Sequence, residues 1–182
     1  MSYKFFSVIP ICTVTKRLFL LFNTGKQRVN IGAMVVWKCL RFNDLSTIQL
    51  YEILKFRSNI FVVEQHCPYP ELDDKDQNAF HFCGFSEMGS LLAYARLLPP
   101  KCSYPEASIG RVAVLNEARG QHLGKTLMIF ARESCLTLFD SDIVISAQLY
   151  LLEFYQNIGF QKISDIYLED GIEHVRMKYY KK

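Results

Sequence analysis

The spacing of hydrophobic and polar positions changes period repeatedly along the chain, and each change marks an element. Residues 35–42, VVWKCLRF, read as a strand. From Ser46 onward the period becomes helical: Leu50, Ile53, Leu54, Arg57, Ile60 and Phe61 recur three and four residues apart and are mostly apolar. Ser46 and Gln49 have the spacing of a capping box, so a helix is expected from 46 into the low 60s. Residues 64–79, EQHCPYPELDDKDQNA, carry neither period and are rich in proline and acid, as a loop is. FHFCGF (80–85) and LLAYARLL (91–98), joined by SEMGS, predict a hairpin. After a proline-bearing loop, SIGRVAVL (108–115) reads as a strand. Leu123, Leu127, Phe130, Ala131 and Leu138 then give a helix over 120–138. DIVISAQ (142–148) is short and nearly all apolar, as a buried central strand would be. YLLEFYQNIGF (150–160) predicts a short helix stopped at Gly159. FQKISDIYLE and EHVRMKYY are two further strands joined at Asp170-Gly171. The order β, α, β-β-β, α, β, α, β-β predicts an α+β domain with a mixed sheet and no repeats.

Length and composition narrow this. The 182 residues suffice for one domain with a sizeable core. Half of them are apolar and 21% are charged, which excludes a disordered chain. A net charge of +3 without a dense basic face gives no reason to expect nucleic acid as a partner. Six dispersed cysteines without a CxxC pair do not suggest a disulfide framework; reduced thiols in an intracellular, cytoplasmic protein are expected. Residues 1–33 break their apolar runs at Lys16 and Arg17, too early for a membrane span or a secretory signal. They are expected to be an extension, possible from an upstream start, that the domain at 34–182 does not need.

IGRVAVL followed by ARGQHLGKTLM is a strand, a glycine-bearing turn and a helix, the geometry that holds phosphates on backbone N–H groups. His122 stands where a glycine would be expected, which questions the turn's positive φ and the closeness of a phosphate. With ISAQLYLLEFYQNIGF, these residues resemble the core of the GNAT acetyltransferases. FRSNIFVVEQHCPYPELDDKDQNAFHF and LLAYARLLP are similar to the ElaA-like subgroup, and the resemblance spans roughly 35–180. It implies the GNAT acyl-CoA N-acyltransferase fold, a mixed, mostly antiparallel twisted sheet flanked by helices. It also implies direct transfer of acetyl from acetyl-CoA to a primary amine in a ternary complex, and a homodimer as a possible assembly through sheet edges.

Residue by residue, the resemblance places the pyrophosphate on the turn Arg119, Gly120, Gln121, His122, Leu123 and Gly124, with Lys125 adding charge. Pantetheine would pair with the Val112, Ala113, Val114 backbone, and Gln148 would contact the cofactor through its amide. Tyr155 would be the general acid for the departing thiolate, an oxygen acid (pKa about 10) facing a thiol (about 8.5). The general base is open among Glu64, His66, His81 and Glu153. The acidic positions Glu71, Asp73, Asp74 and Asp76 suit either a solvated loop or attraction of a cationic amine.

Two rivals compete. His66, Cys67, His81 and Cys83 suggest zinc, but their spacing matches no finger or ribbon, and no metal is expected. A catalytically lapsed module that binds acyl-CoA as a sensor or interaction protein is favoured by His122 and opposed by Tyr155.

Overall fold

The computed structural model describes residues 35–182, so the expectation for residues 1–33, and Cys12 with it, lies outside the described residues. Strand β1 is Val36–Arg41, helix α1 Thr47–Ser58, β2 Phe80–Phe85, β3 Leu91–Leu98 and β4 Ala107–Val114. Helix α2 is Leu123–Phe139, β5 Ile143–Gln148, helix α3 Leu152–Gln156, β6 Gln161–Lys162, β7 Tyr167–Glu169 and β8 Ile172–Tyr179. The strands form one sheet in the order β1-β2-β3-β4-β5-β8-β6, with β7 also on β8. Every pairing is antiparallel except β4 with β5.

Local chemistry sets several boundaries. Ser46 and Gln49 form the reciprocal capping box at the start of α1. The helix then continues as a π turn over Asn59–Glu64. It stops at His66, which takes φ +51, with Cys67 N–H donating to the Val62 carbonyl and His66 N–H to that of Val63. That is a Schellman stop with histidine in the place glycine usually holds. Gly159, at φ +96, ends α3 in the same way, with Phe160 N–H on the Tyr155 carbonyl and Gly159 N–H on that of Gln156. The expected helix at 150–160 is therefore a 3-10 turn at Leu149–Leu151 followed by five α-helical residues. The expected strand at 160–169 is two strands, β6 and β7, on opposite ends of β8.

Helices α2 and α3 cover one face of the sheet and α1 the other. The larger core joins Ala93, Ala95, Ile109, Leu127, Ala131, Ile145, Ala147, Tyr155 and Val175 among others. The smaller joins Ile53, Phe56 and Ile60 of α1 to Cys83, Tyr94 and Ala113. Alternation along β4 is reset at Arg111, which takes φ +52 where the β3–β4 register shifts. Before this bulge Ala107 and Ile109 face α2; after it Val112 and Val114 do, and Ala113 turns to α1.

Of the two readings left open for the acidic loop, solvation holds for the exposed Asp74 and not for its neighbours. Glu71 and Asp76 are buried. Arg57 of α1 donates Nε and Nη2 to Glu71 at 2.7 and 3.0 Å and Nη1 to Asp76 at 2.7 Å. Arg96 of β3 grips Asp73 at 2.6 and 2.7 Å and Asp76 at 3.0 Å. Arg111 donates Nε to Glu71 at 2.9 Å and lies over the Tyr69 ring. Three guanidinium groups thus meet three carboxylates, and charge compensation is what lets this loop run inside. Burial works against the charge of Arg57, but Tyr94, Asp76 and Glu71 more than offset it and keep it protonated. The loop is pinned from α1, β3 and the bulge of β4 at once.

Candidate active site

Strands β4 and β5 pair only at Ala107–Ile143 and Ser108–Val144. Beyond that point they part, so the second half of β4 keeps one edge unpaired by β5 while β3 holds the other. This is the split that the resemblance requires for pantetheine to add to the sheet. The Val114 carbonyl on that strand accepts from Arg119 Nε at 3.0 Å, and its second lone pair is available to a ligand.

The turn that follows is the one expected to hold phosphate. Gly120 has φ +77 and His122 φ +59. Histidine therefore adopts the left-handed conformation itself, at a cost of about 1 kcal/mol against glycine, and the shape of the turn is kept. Helix α2 begins at Leu123 rather than 120, because residues 119–122 form this turn. Thr126 N–H donates to the His122 carbonyl. The N–H groups of Leu123, Gly124 and Lys125 precede that bond and point off the helix end, where the positive dipole end lies. A Cβ on Gly124 would meet only a Val114 methyl, at 3.8 Å. Gln121 Oε1 is buried with no protein partner, and together with Arg96 Nε it makes up the orphaned buried side-chain atoms among the described residues.

Tyr155 packs in the α2 core, edge-on to Phe154 and Phe160, and is 6% exposed. Burial, with Tyr150 behind it, pushes its hydroxyl above the usual 10.0. The group holds its proton firmly, and proton transfer to a thiolate is more uphill than for a free tyrosine unless the bound ligand re-polarises the site.

The opposite face of the sheet gathers most of the other predicted residues, while Glu153 stays on the α3 side. Glu64 receives Arg119 as a two-pronged ion pair, Nη1 at 2.6 and Nη2 at 3.0 Å, so the end of α1 is tied to the phosphate turn. Gln148 at the end of β5 donates to Gln65 at 3.4 Å and accepts from the Tyr150 hydroxyl at 2.5 Å. His66 is exposed at the helix stop, and Glu153 is exposed on α3. His81 does not fit the base role. It is fully buried; Nε2 lies 3.2 Å from the Asp76 carbonyl and must donate, so Nδ1 accepts from the Tyr94 hydroxyl at 2.8 Å. Burial also lowers its pKa, and no lone pair is left for a substrate. Strand alternation had given its face but not its depth.

The cysteines among the described residues are unpaired. Burial pushes the Cys39 and Cys135 thiols up to about 12 and Cys83 higher, which makes them poor nucleophiles. Among the described residues no group of three His, Cys, Asp or Glu side chains converges for a metal, and no helix is long and apolar enough to cross a membrane.

Sequence reasoning missed the arginine–carboxylate network and the Glu64–Arg119 pair. A signal existed for the first, since Arg57 stands on the apolar face of its helix.

A mixed sheet opened between two parallel strands, with a phosphate turn at the opening, defines the class of acyl-CoA N-acyltransferases. The model of the acetyltransferase (GNAT) domain matches residues 56–181. Protein ElaA of Escherichia coli is 38% identical over 147 residues, 79% of this chain and 95% of that one. A UPF0039 protein of Schizosaccharomyces pombe is 43% identical over 139 residues, 75% of this chain and 91% of its own. Among solved structures, an acyl-CoA N-acyltransferase from Pseudomonas aeruginosa is similar with TM-score 0.76 and 38% identity, over 81% of this chain and all of that one. E. coli ElaA has TM-score 0.76 and 37% identity over the same 81% share. The chain belongs to the GNAT acetyltransferase family, in its ElaA-like branch.

Proposed function

We propose that this protein transfers the acetyl group of acetyl-CoA directly to a primary amine, both bound at once, with residues 34–182 sufficient for the activity. The observation that carries this is the parting of β4 and β5 beyond Ser108, with Tyr155 packed on one face and the end of α1 on the other. Acetyl-CoA supplies the activated thioester when bound. The Val112–Val114 backbone and the turn at 119–124 orient it, with Lys125 adding positive charge and Arg119, paired with Glu64, fixing the start of the turn. Tyr155 donates its phenolic proton to the departing sulfur. Gln148 contacts the cofactor through its side-chain amide, with Gln65 beside it on the acceptor side. The buried, weakly ionising thiols support direct transfer over a cysteine-bound acyl group.

Calorimetric titration of acetyl-CoA into wild type and His122→Gly, then release of free thiol with a panel of amines, tests this. Micromolar binding and amine-dependent release are expected. Tyr155→Phe keeps the ring packing and should bind acetyl-CoA within about threefold of wild type while kcat falls about a hundredfold or more. Binding without release on any amine would favour the sensor reading. No binding by either protein would sink both.

A further inference from the structure

We propose that His174 is the general base that accepts the proton of the acceptor amine, an assignment that rests on the acyltransfer reading above. His174 lies on β8 directly across from Gln148, the last residue of β5. The neighbouring pair Ala147–Val175 faces the α2 core that holds Tyr155. By alternation, Gln148 and His174 face the other side, the side of α1. Two contacts bring the end of α1 to that place. Gln65 meets Gln148, and Cys67 Sγ donates to the Asp170 carbonyl in the turn that leads into β8.

The hydrogen bonding of the ring fixes its tautomer. Nδ1 lies 2.8 Å from the Ile172 carbonyl. A carbonyl can only accept, so Nδ1 carries the proton and Nε2 of the neutral ring carries the lone pair. The ring stacks on Tyr167 at 6.2 Å, and the Tyr167 hydroxyl is 2.6 Å from Ser146 Oγ, which donates to Glu169. A base oriented through its other nitrogen is the arrangement that general-base histidines need. Two alternatives are committed elsewhere, since His81 uses both nitrogens and has no exposure and Glu64 has both oxygens in the Arg119 fork, while His66 and Glu153 are exposed and have no partner among the described residues that orients them as bases. His174 keeps 8% exposure.

Acid and base then stand on opposite faces of the sheet, with His174 one strand beyond β5 from the split between β4 and β5. The bound ammonium first gives a proton to Nε2, which frees the nitrogen lone pair; as the nitrogen then bonds to the acyl carbon and the carbon–sulfur bond breaks, Tyr155 gives its proton to sulfur and the second proton leaves the nitrogen for water. Exchange with water returns one proton to Tyr155 and removes one from His174.

His174→Asn tests this, because the asparagine amide can still donate to the Ile172 carbonyl while the base is gone. Wild type and variant are compared with acetyl-CoA and two kinds of acceptor: the fastest of a panel of alkylamines, which are protonated at neutral pH, and methoxyamine, which is not. The variant should lose about a hundredfold or more in kcat/KM on the alkylamine and less than about tenfold on methoxyamine, with acetyl-CoA affinity unchanged. Independently of activity, long-range proton–nitrogen spectra of the ligand-free protein should show His174 protonated at Nδ1 and bare at Nε2. An Nε2-protonated ring, equal loss on both amines, or no loss on either would overturn the assignment while leaving an active wild type to support acyl transfer. A wild type inactive on every amine would overturn the acyltransfer reading and this one with it.

Discussion

Arg57→Met is the sharpest test of how the acidic loop is held inside. The side chain is fully buried and makes three charged hydrogen bonds of 2.7 to 3.0 Å to Glu71 and Asp76. Methionine fills most of the same volume, so the change removes charge and donors more than packing. Two guanidinium groups then face three carboxylates, and one surplus negative charge stays buried among groups 6–7% exposed. Breaking one partner of a buried pair costs about 3–5 kcal/mol, a large part of the roughly 5–15 that holds a domain together. Trp37 is the chain's one tryptophan, stacked on Phe82 at 5.6 Å, and reports urea unfolding by fluorescence. With a urea slope of about 2 kcal/mol per molar, the midpoint should fall by roughly 2 M. Adding Asp76→Asn restores the balance of two against two and should recover about half of the loss. The reasoning fails if Arg57→Met costs under about 1 kcal/mol, or if the second substitution adds its own full penalty to the first.

Other outcomes follow from single features. Burial resists ionisation of Asp73, yet hydrogen bonds from Arg96 and the charges of Arg96 and Arg111 overcome it and hold its carboxyl at about 2 against the usual 3.8. A folded value below the unfolded one contributes stability above the unfolded value and loses it as pH falls, here between about 4 and about 2, by about 1 kcal/mol after solvent screening. Denaturation midpoints across that window should show it in wild type and not in Asp73→Asn. Gly159→Ala puts a Cβ 2.9 Å from the Tyr179 ring at φ +96 and should cost about 2 kcal/mol or more in a thermal melt. His66→Gly, relieving a left-handed residue at a helix stop, should leave stability within about 1 kcal/mol and acyl transfer intact; loss of transfer would return His66 to the base role.

What the sequence disclosed followed the range of the interactions. The capping box at Ser46 and the stop at Gly159 are local, and both were legible because their partners lie within five residues. The turn at 119–124 was legible as a motif, though His122 left its φ undecided, since only the folded chain shows whether the surroundings support the strain. The acidic loop stayed open between two readings because its partners are 14 to 40 residues away on three elements, and a run of acids looks the same solvated or neutralised. The bulge at Arg111 was invisible for a related reason: it depends on the register against β3 and on Glu71 to hold the arginine. His174 sits in an ordinary strand pattern, and nothing in that pattern distinguishes a bare nitrogen from a satisfied one.

The two-residue seam between β4 and β5 has a mechanical consequence. The sheet is two antiparallel leaves, β1–β4 and β5–β8, joined along their strands at only two positions and otherwise by the core beneath α2. A molecule lying in the gap would act as a keystone, since its contacts cross from one leaf to the other. Its binding free energy is then cohesion between leaves, adding about 2.7 kcal/mol when it is present at a hundred times its dissociation constant. Amide exchange in β5 and β8 should therefore slow together with that of β4 when the gap is filled, as though two loosely hinged plates had become one.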